Sequence, residues 1–273
     1  MNAETGPVTA EADRRDPLPA DDPVLADSAI DLDALAAHWA PYAARWPMTA
    51  EQMKGADRRA QRMGVPGREL MEQAGAAVAA AARALLNSTD RPSLGVVLIL
   101  GGPGNNGGDA FVCARLLAAA GVRSATVLVS NEARPRTPDA VLNWERLEGV
   151  AGVERIRAAT AHDVAILLNG LERAALVIDG LLGTGVRGGL REPITAAVEL
   201  CLRARSLGVP VLSIDTPTAL DLTSGMPSDP VVRADVTVTF HRPKEGLCTR
   251  YGRLLAGRVL VAPIGIPVQA DPG

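Results

Sequence analysis

Apolar residues recur in two rhythms along this chain, and the switch between them divides it. From Ile30 to Trp46, Leu32, Leu35, Ala36 and Trp39 fall at helical spacing, with Asp31 or Ser28 placed to cap a short amphipathic helix. Thr49 and Gln52 have capping-box spacing and open a second helix through Met53, Ala56, Ala60 and Met63 to Gly64. Pro66-Gly67 starts a third, carrying Leu70, Met71, Ala74, Val78, Ala81 and Leu85. From Leu94 the rhythm changes. Apolar runs predict strands at 95–101, 124–130, 153–156, 174–179, 209–215, 234–240 and 257–262. Helical patterns lie between several of them, at 109–120, 137–148, 161–170 and 192–206. Runs such as Leu176-Val177-Ile178 and Val211-Leu212-Ser213-Ile214 hardly alternate with polar residues. That suits strands covered on both faces, hence an α/β fold with a mostly parallel central sheet and helices either side. The last strands show no helical pattern between them, which predicts an antiparallel edge.

The ends differ from this middle. Residues 1 to about 27 are rich in Pro, Asp, Glu and Ala and hold no period, so disorder is predicted there. The chain therefore divides into an extension over 1–47, partly disordered with a short helix, a domain over 48–267, and a loose tail over 268–273.

Composition narrows the function classes. Aromatics make up only 3% of the chain, so the core is built from Ala, Leu, Val and Ile. A net charge of -3 gives no basic footprint for nucleic acid. No apolar run reaches membrane-span length, and the N-terminus lacks a secretory layout. Cys113, Cys201 and Cys248 have no metal-ligand spacing, which favours a reducing compartment, and a cytoplasmic location is expected. His38, His162 and His241 stand alone in sequence, as surface or hydrogen-bonded core residues do.

Three polar clusters each come directly after a predicted strand. The first is Gly101-Gly102-Pro103-Gly104-Asn105-Asn106-Gly107-Gly108-Asp109. The second runs from Asp179-Gly180-Leu181-Leu182-Gly183-Thr184-Gly185 through Val186-Arg187-Gly188-Gly189. The third is Asp215-Thr216-Pro217-Thr218-Ala219. Strand C-termini of an open parallel sheet share one edge, and ligands bind outside it, so these clusters should meet there. Gly102 to Gly107 formally matches G-x-G-x-x-G, and Glu132 could serve as a ribose-binding acid in a dinucleotide dehydrogenase. Against that, Asp109 would repel a pyrophosphate near the helix start, although an N-cap role alone would explain it. Asp179 and Asp215 end strands in the crevice, where a carboxylate can accept a hydroxyl, bind a cation or move a proton. Asn106, Asp179 and Thr218 offer oxygen ligands suited to a hard cation.

Gly104-Asn105-Asn106-Gly107-Gly108-Asp109, followed by Phe111 to Leu117, resembles the YjeF N-terminal domain family, the NAD(P)H-hydrate epimerases. Leu70-Met71-Glu72-Gln73-Ala74-Gly75, the Asp179 cluster, Ala234 to Phe240 with Pro243-Lys244, and Ile264-Gly265-Ile266-Pro267 resemble further family segments in order. The resemblance spans roughly Met48 to Pro267. It implies a Rossmann-like three-layer α/β/α sandwich, a homodimer, and interconversion of the R and S forms of NADHX and NADPHX, the hydrated reduced nicotinamide nucleotides. It implies potassium held by Asn106, Asp179 and Thr218. Substrate contacts are implied for Asn105, Asn106, Gly107, Gly108 and Asp109. They are implied equally for Gly183, Thr184, Gly185, Val186, Arg187, Gly188, Gly189 and Asp215. Asp179 is expected to give acid–base help as the C6 hydroxyl is lost and returned. Lys244 is read either as a charge for a phosphate or as a solvated surface lysine.

The third cluster departs from the family's Asp-Ile-Pro-Ser-Gly. Thr218 keeps the hydroxyl, but Ala219 stands where the family has Gly, which matters if that position needs φ > 0. This departure keeps a second reading open, a non-catalytic nucleotide-binding or scaffold module of the same fold.

Overall fold

Seven strands form one sheet in the order β3-β2-β1-β4-β5-β6-β7, and every pairing is parallel. The computed structural model describes residues 18–89, 91, 95–183 and 189–271. Ahead of the sheet come α1 (Pro23–Ala26), α2 (Leu32–His38), α3 (Ala40–Ala43), α4 (Ala50–Arg62) and α5 (Gly67–Asn87). The alternating part runs β1 (Val97–Gly101), α6 (Asn105–Ala119), β2 (Ser124–Val129), α7 (Pro138–Glu145), β3 (Val153–Ala158) and α8 (Ala161–Ile166). It continues through β4 (Leu176–Gly180), α9 (Ile194–Ser206), β5 (Val211–Ile214), β6 (Val236–Phe240), α10 (Glu245–Cys248), α11 (Arg250–Leu255) and β7 (Arg258–Ala262).

All seven predicted strands are present. The antiparallel edge is not: β6 and β7 pair in parallel, Val236 with Arg258 through Phe240 with Ala262. The short helices α10 and α11 supply the crossover that a parallel connection needs. β1, β4, β5 and β6 are buried along their whole length. One apolar cluster on the α5–α6 side holds Ile99, Phe111, Ile178 and Val238, and another under α8 and α9 holds Leu100, Val177, Leu200 and Val211. This gives the three-layer arrangement, with helices on each face.

Close packing explains several small residues. α5 crosses α6 at Gly75, where an added Cβ would lie 2.4 Å from Val112. That leaves no room for a larger side chain. The Thr49–Gln52 capping box forms as expected, and Asp31, not Ser28, caps α2 by accepting from the Ala34 N–H at 2.7 Å.

The ends hold more structure than the pattern predicts. Within the stretch read as disordered, α1 forms and Leu25 is buried; residues 1–17 lie outside the described residues. Leu25, Ile30, Leu35 and Trp39 join the main core, so residues 18–47 are packed into the domain. At the other end Ala270 is buried, and its carbonyl accepts from Arg59 Nε at 2.7 Å. Asp271 accepts from Arg242 at 3.0 Å and pairs with the buried His241 at 2.8 Å. Burial lowers His241 from 6.5 to about 4. The tail is therefore fastened as far as Asp271, and 272–273 lie outside the described residues. Among the described residues, no helix is long and apolar enough to cross a membrane.

Candidate active site

Strand order reverses direction between β1 and β4, the neighbours from which the sheet is built outward both ways. A parallel sheet splits its outgoing loops at such a point and leaves a crevice. Here Gly101 lies beside Gly180 and Leu100 beside Asp179, so the first two polar clusters leave the sheet side by side. Ser213 of β5 lies beside Asp179, which brings in the third.

Glycine makes that junction possible. The Gly102 N–H donates to the Gly180 carbonyl at 3.0 Å, and a Cβ on Gly102 would sit 1.7 Å from the Leu181 oxygen. A Cβ on Gly107 would sit 1.9 Å from the Gly102 oxygen, and one on Gly108 would meet Met71 at 2.5 Å. Gly107 and Gly108 thus seat α6 against the β1 turn and against α5. Both are buried, and neither is among the residues lining the cleft described below.

The predicted start of α6 needs correction as well. The helix begins at Asn105, four residues before the predicted start, with Gly104 as N-cap. Asp109 is its fifth residue and caps nothing. Helical spacing sets Asn105, Asn106 and Asp109 together on the wall of a cleft of about 450 Å³. Leu181, Leu182, Gly183 and Asp215 line it from the other clusters, and Asp57, Gln61 and Met71 from α4 and α5. Lys54 of α4 and Arg136 and Asp139 near α7 complete the charged rim. None of these last residues belongs to a polar cluster. The signal for Asp57 was its place one turn after Met53 in the helix opened by the Thr49–Gln52 capping box.

Asp179 is fully buried and off the cleft wall. Its Oδ1 accepts from the Thr218 hydroxyl at 2.6 Å and the Leu181 N–H at 3.3 Å. Its Oδ2 accepts from the Thr218 N–H at 2.9 Å and the Ser213 hydroxyl at 2.9 Å. Burial raises its pKa, and these four bonds oppose the rise. Thr218 is equally buried, and its hydroxyl also accepts from the Leu182 N–H at 3.1 Å. Asp179 and Thr218 thereby tie the second cluster to the third. Asn106 faces Gly183: its Oδ1 lies 3.3 Å from where a Cβ on that glycine would be. Its Nδ2 is buried without a hydrogen-bond partner. Gly189 is exposed and lines no part of the cleft, while Thr184, Gly185, Val186, Arg187 and Gly188 lie outside the described residues.

Asp215 forms part of the opposite wall, with Lys244 buried behind it. Asp215 has φ 62, a left-handed conformation that Asp tolerates, and accepts from the Thr239 hydroxyl at 2.9 Å. Lys244 is fully buried, which excludes both the surface and the phosphate-binding readings. Its Nζ donates to Thr239 Oγ1 at 2.9 Å and to the Phe240 and Arg242 carbonyls at 2.8 and 3.0 Å. It lies 3.4 Å from Asp215 Oδ1. Burial lowers the lysine pKa, and Asp215 counters that.

Ala219 has φ 78, so the position does need the left-handed region. A Cβ there costs about 1–2 kcal/mol, partly offset in any glycine variant by its freer unfolded chain. Ala219→Gly should therefore raise Tm by about 2 °C in a thermal melt, and a fall would contradict the backbone described.

Asp109 is nearly buried, and no described donor hydrogen-bonds its carboxyl. Burial, then the Asp215 and Asp57 carboxylates, push it well above the ordinary 3.8. A folded pKa above the unfolded one favours the fold fully below the unfolded value, and that contribution disappears as pH rises through the folded value. Asp109→Asn removes the loss. Melts from pH 5 to 9 should show the variant gaining on the wild type as pH rises.

An α/β/α sandwich with a polar cleft at its switch point, walled by an Asn-Asn helix start and a strand-end carboxylate, has the architecture of a ligand-binding α/β fold. The chain belongs to the family described as YjeF-related protein N-terminus, whose model matches residues 67–246. It is 39% identical over 224 residues to the bifunctional NAD(P)H-hydrate repair enzyme Nnr of Pyrobaculum aerophilum, covering 82% of this chain but 42% of that protein. It is 36% identical over 226 residues to the NAD(P)H-hydrate epimerase of Cenarchaeum symbiosum, covering 83% of this chain and 98% of that one. Among solved structures, the crystal structure of yeast ynu0, YNL200c, superposes with a TM-score of 0.64 at 25% identity, over 75% of this chain and 84% of that one.

Proposed function

We propose that this protein is an NAD(P)H-hydrate epimerase, an isomerase that interconverts the R and S forms of NADHX and NADPHX. The observation that carries the reading is the match to the Cenarchaeum symbiosum epimerase, which this chain spans almost end to end. The cleft supports it. It combines neutral amide side chains and carboxylates with cationic residues at its rim, Lys54 and Arg136, able to meet a pyrophosphate. The chemistry is a C–O bond made and broken beside a ring nitrogen, which needs proton transfer and no redox step.

The residues implied for potassium fit a hard cation. Asn106, Asp179 and Thr218 converge under the Leu181–Gly183 turn and can present an amide, a carboxylate and a hydroxyl oxygen. The unpartnered Asn106 Nδ2 supports the fit, since the reversed amide would aim its oxygen at the same place. Bound there, potassium would supply a positive charge beside Asp179. Asp179 in this reading holds the second and third clusters in register, while Asp109 and Asp215 face the substrate. A homodimer and a cytoplasmic location belong to the same reading and rest on the family resemblance and the composition.

The non-catalytic reading arose from Ala219. The structure accommodates that alanine in the left-handed conformation with Asp215 and Thr218 in place, so the substitution leaves the cleft formed. The dehydrogenase reading loses its two supports. Gly102 and Gly107 are packed on each other, and Glu132 pairs with Arg136 at 2.8 Å. Starting from either pure epimer of NADHX, the protein should bring the mixture to one common ratio. An unchanged epimer after hours with folded protein, followed by chromatography, would refute the proposal.

A further inference from the structure

Interconverting two epimers at one carbon demands machinery that runs equally well both ways. A group that gives a proton to the leaving hydroxyl must regain one when water returns. Asp179, expected from the resemblance to do this, is enclosed by four donors beneath the cleft wall. Asp215 faces the cleft, but its Oδ1 is already held by the Lys244 ammonium at 3.4 Å and the Thr239 hydroxyl at 2.9 Å. Asp109 also faces the cleft, one helical turn from Asn106, with no described donor spent on its carboxyl. Its neighbours across the cleft are the Asp215 and Asp57 carboxylates, so two like charges stand where a third would have to form.

We infer that Asp109 is the proton-carrying catalytic residue, giving its proton to the leaving hydroxyl and regaining one when water returns. The inference rests on the epimerase reading. The Asp109 carboxyl protonates the C6 hydroxyl, the C6–O bond breaks, and the ring N1 lone pair fills the vacancy as water departs. Water then adds to the other face of the N1=C6 cation, and the proton it sheds returns to Asp109. Atoms and charge balance without an oxidant or reductant.

Asp109→Asn is the discriminating variant, because it keeps the size, the neutrality and a hydrogen-bond donor but has no proton to give. The kinetic constants of purified wild type and variant are compared with R-NADHX as substrate. The expected result is a kcat about 100-fold or more lower with KM within about threefold. The wild-type kcat should also fall at high pH as Asp109 loses its proton. The charged groups facing it set that limb: Asp57 and Lys54 from α4, Asp215 with Lys244 behind it, and Arg136 and Asp139 near α7. An active wild type whose Asp109→Asn form keeps kcat within about threefold would overturn the inference alone. So would a loss confined to KM. An inactive wild type would overturn both this inference and the epimerase reading. Asp109→Asn is expected to fold at least as well as wild type, so a misfolded variant would itself count against the buried, protonated carboxyl.

Discussion

Lys244→Met should lower Tm by about 10 °C. The substitution keeps most of the side chain's length and removes only the ammonium, which isolates the electrostatic loss. Three acceptors, Thr239 Oγ1 and the Phe240 and Arg242 carbonyls, would lose their donor inside the protein. Asp215 would keep a nearly buried charge without its 3.4 Å partner. Breaking one side of a buried pair costs about 3–5 kcal/mol. At roughly 2–4 °C per kcal/mol for a chain of this size, that gives the stated fall. A melt within about 2 °C of wild type would contradict the buried position of Lys244.

Asp179→Asn should cost both stability and turnover. Each carboxylate oxygen receives one backbone N–H, from Leu181 at Oδ1 and from Thr218 at Oδ2. An amide can face only one of them with oxygen. Whichever way it turns, its NH2 meets the other N–H, while the Ser213 and Thr218 hydroxyls can rotate to adapt. One orphaned, buried N–H costs about 1–3 kcal/mol, or a Tm fall of roughly 4–8 °C with the local strain included. The link between the β4 and β5 clusters would loosen, and a displacement near 1 Å at a reacting centre costs about 100-fold in rate. Full activity with an unchanged melt would show that Asp179 does not organise the cleft.

The polar clusters and the sheet were legible in the sequence for a common reason. Strands buried on both faces must be apolar throughout, so Val97 to Leu100 and Leu176 to Ile178 stand out, and the loop leaving each strand is forced to the sheet edge. Thr49 and Gln52 were legible because a capping box is local chemistry. The beginning of α6 was not. Asn-Asn-Gly-Gly has poor helix propensity, and tertiary packing against Gly102, Met71 and Ala140 decides the conformation. The parallel β6–β7 edge was hidden because α10 and α11 are only 4 and 6 residues long, too short to show a period. Lys244 was misread because a lone lysine after a strand carries no sign of the three carbonyl and hydroxyl oxygens that enclose it. Asp57, Asp139 and Arg136 reach the cleft from segments far off in sequence, and only the fold brings them there.

The left-handed residues Asp215 and Ala219 bound the third cluster, where Ala219 departs from the family's pattern. Strain of this kind is kept where surrounding contacts over-determine it, and here Lys244, Thr239 and Asp179 do so. The loop's conformation is thus set by buried polar bonds more than by the glycine it lacks.

The most direct test of the central claim is the rate at which purified R-NADHX becomes S-NADHX with the protein present, measured in potassium and in a choline buffer of equal ionic strength. The account predicts a rate well above that without protein, higher in potassium than in choline. A rate equal to the protein-free rate in both buffers, with a cooperative melt showing folded protein, would contradict it.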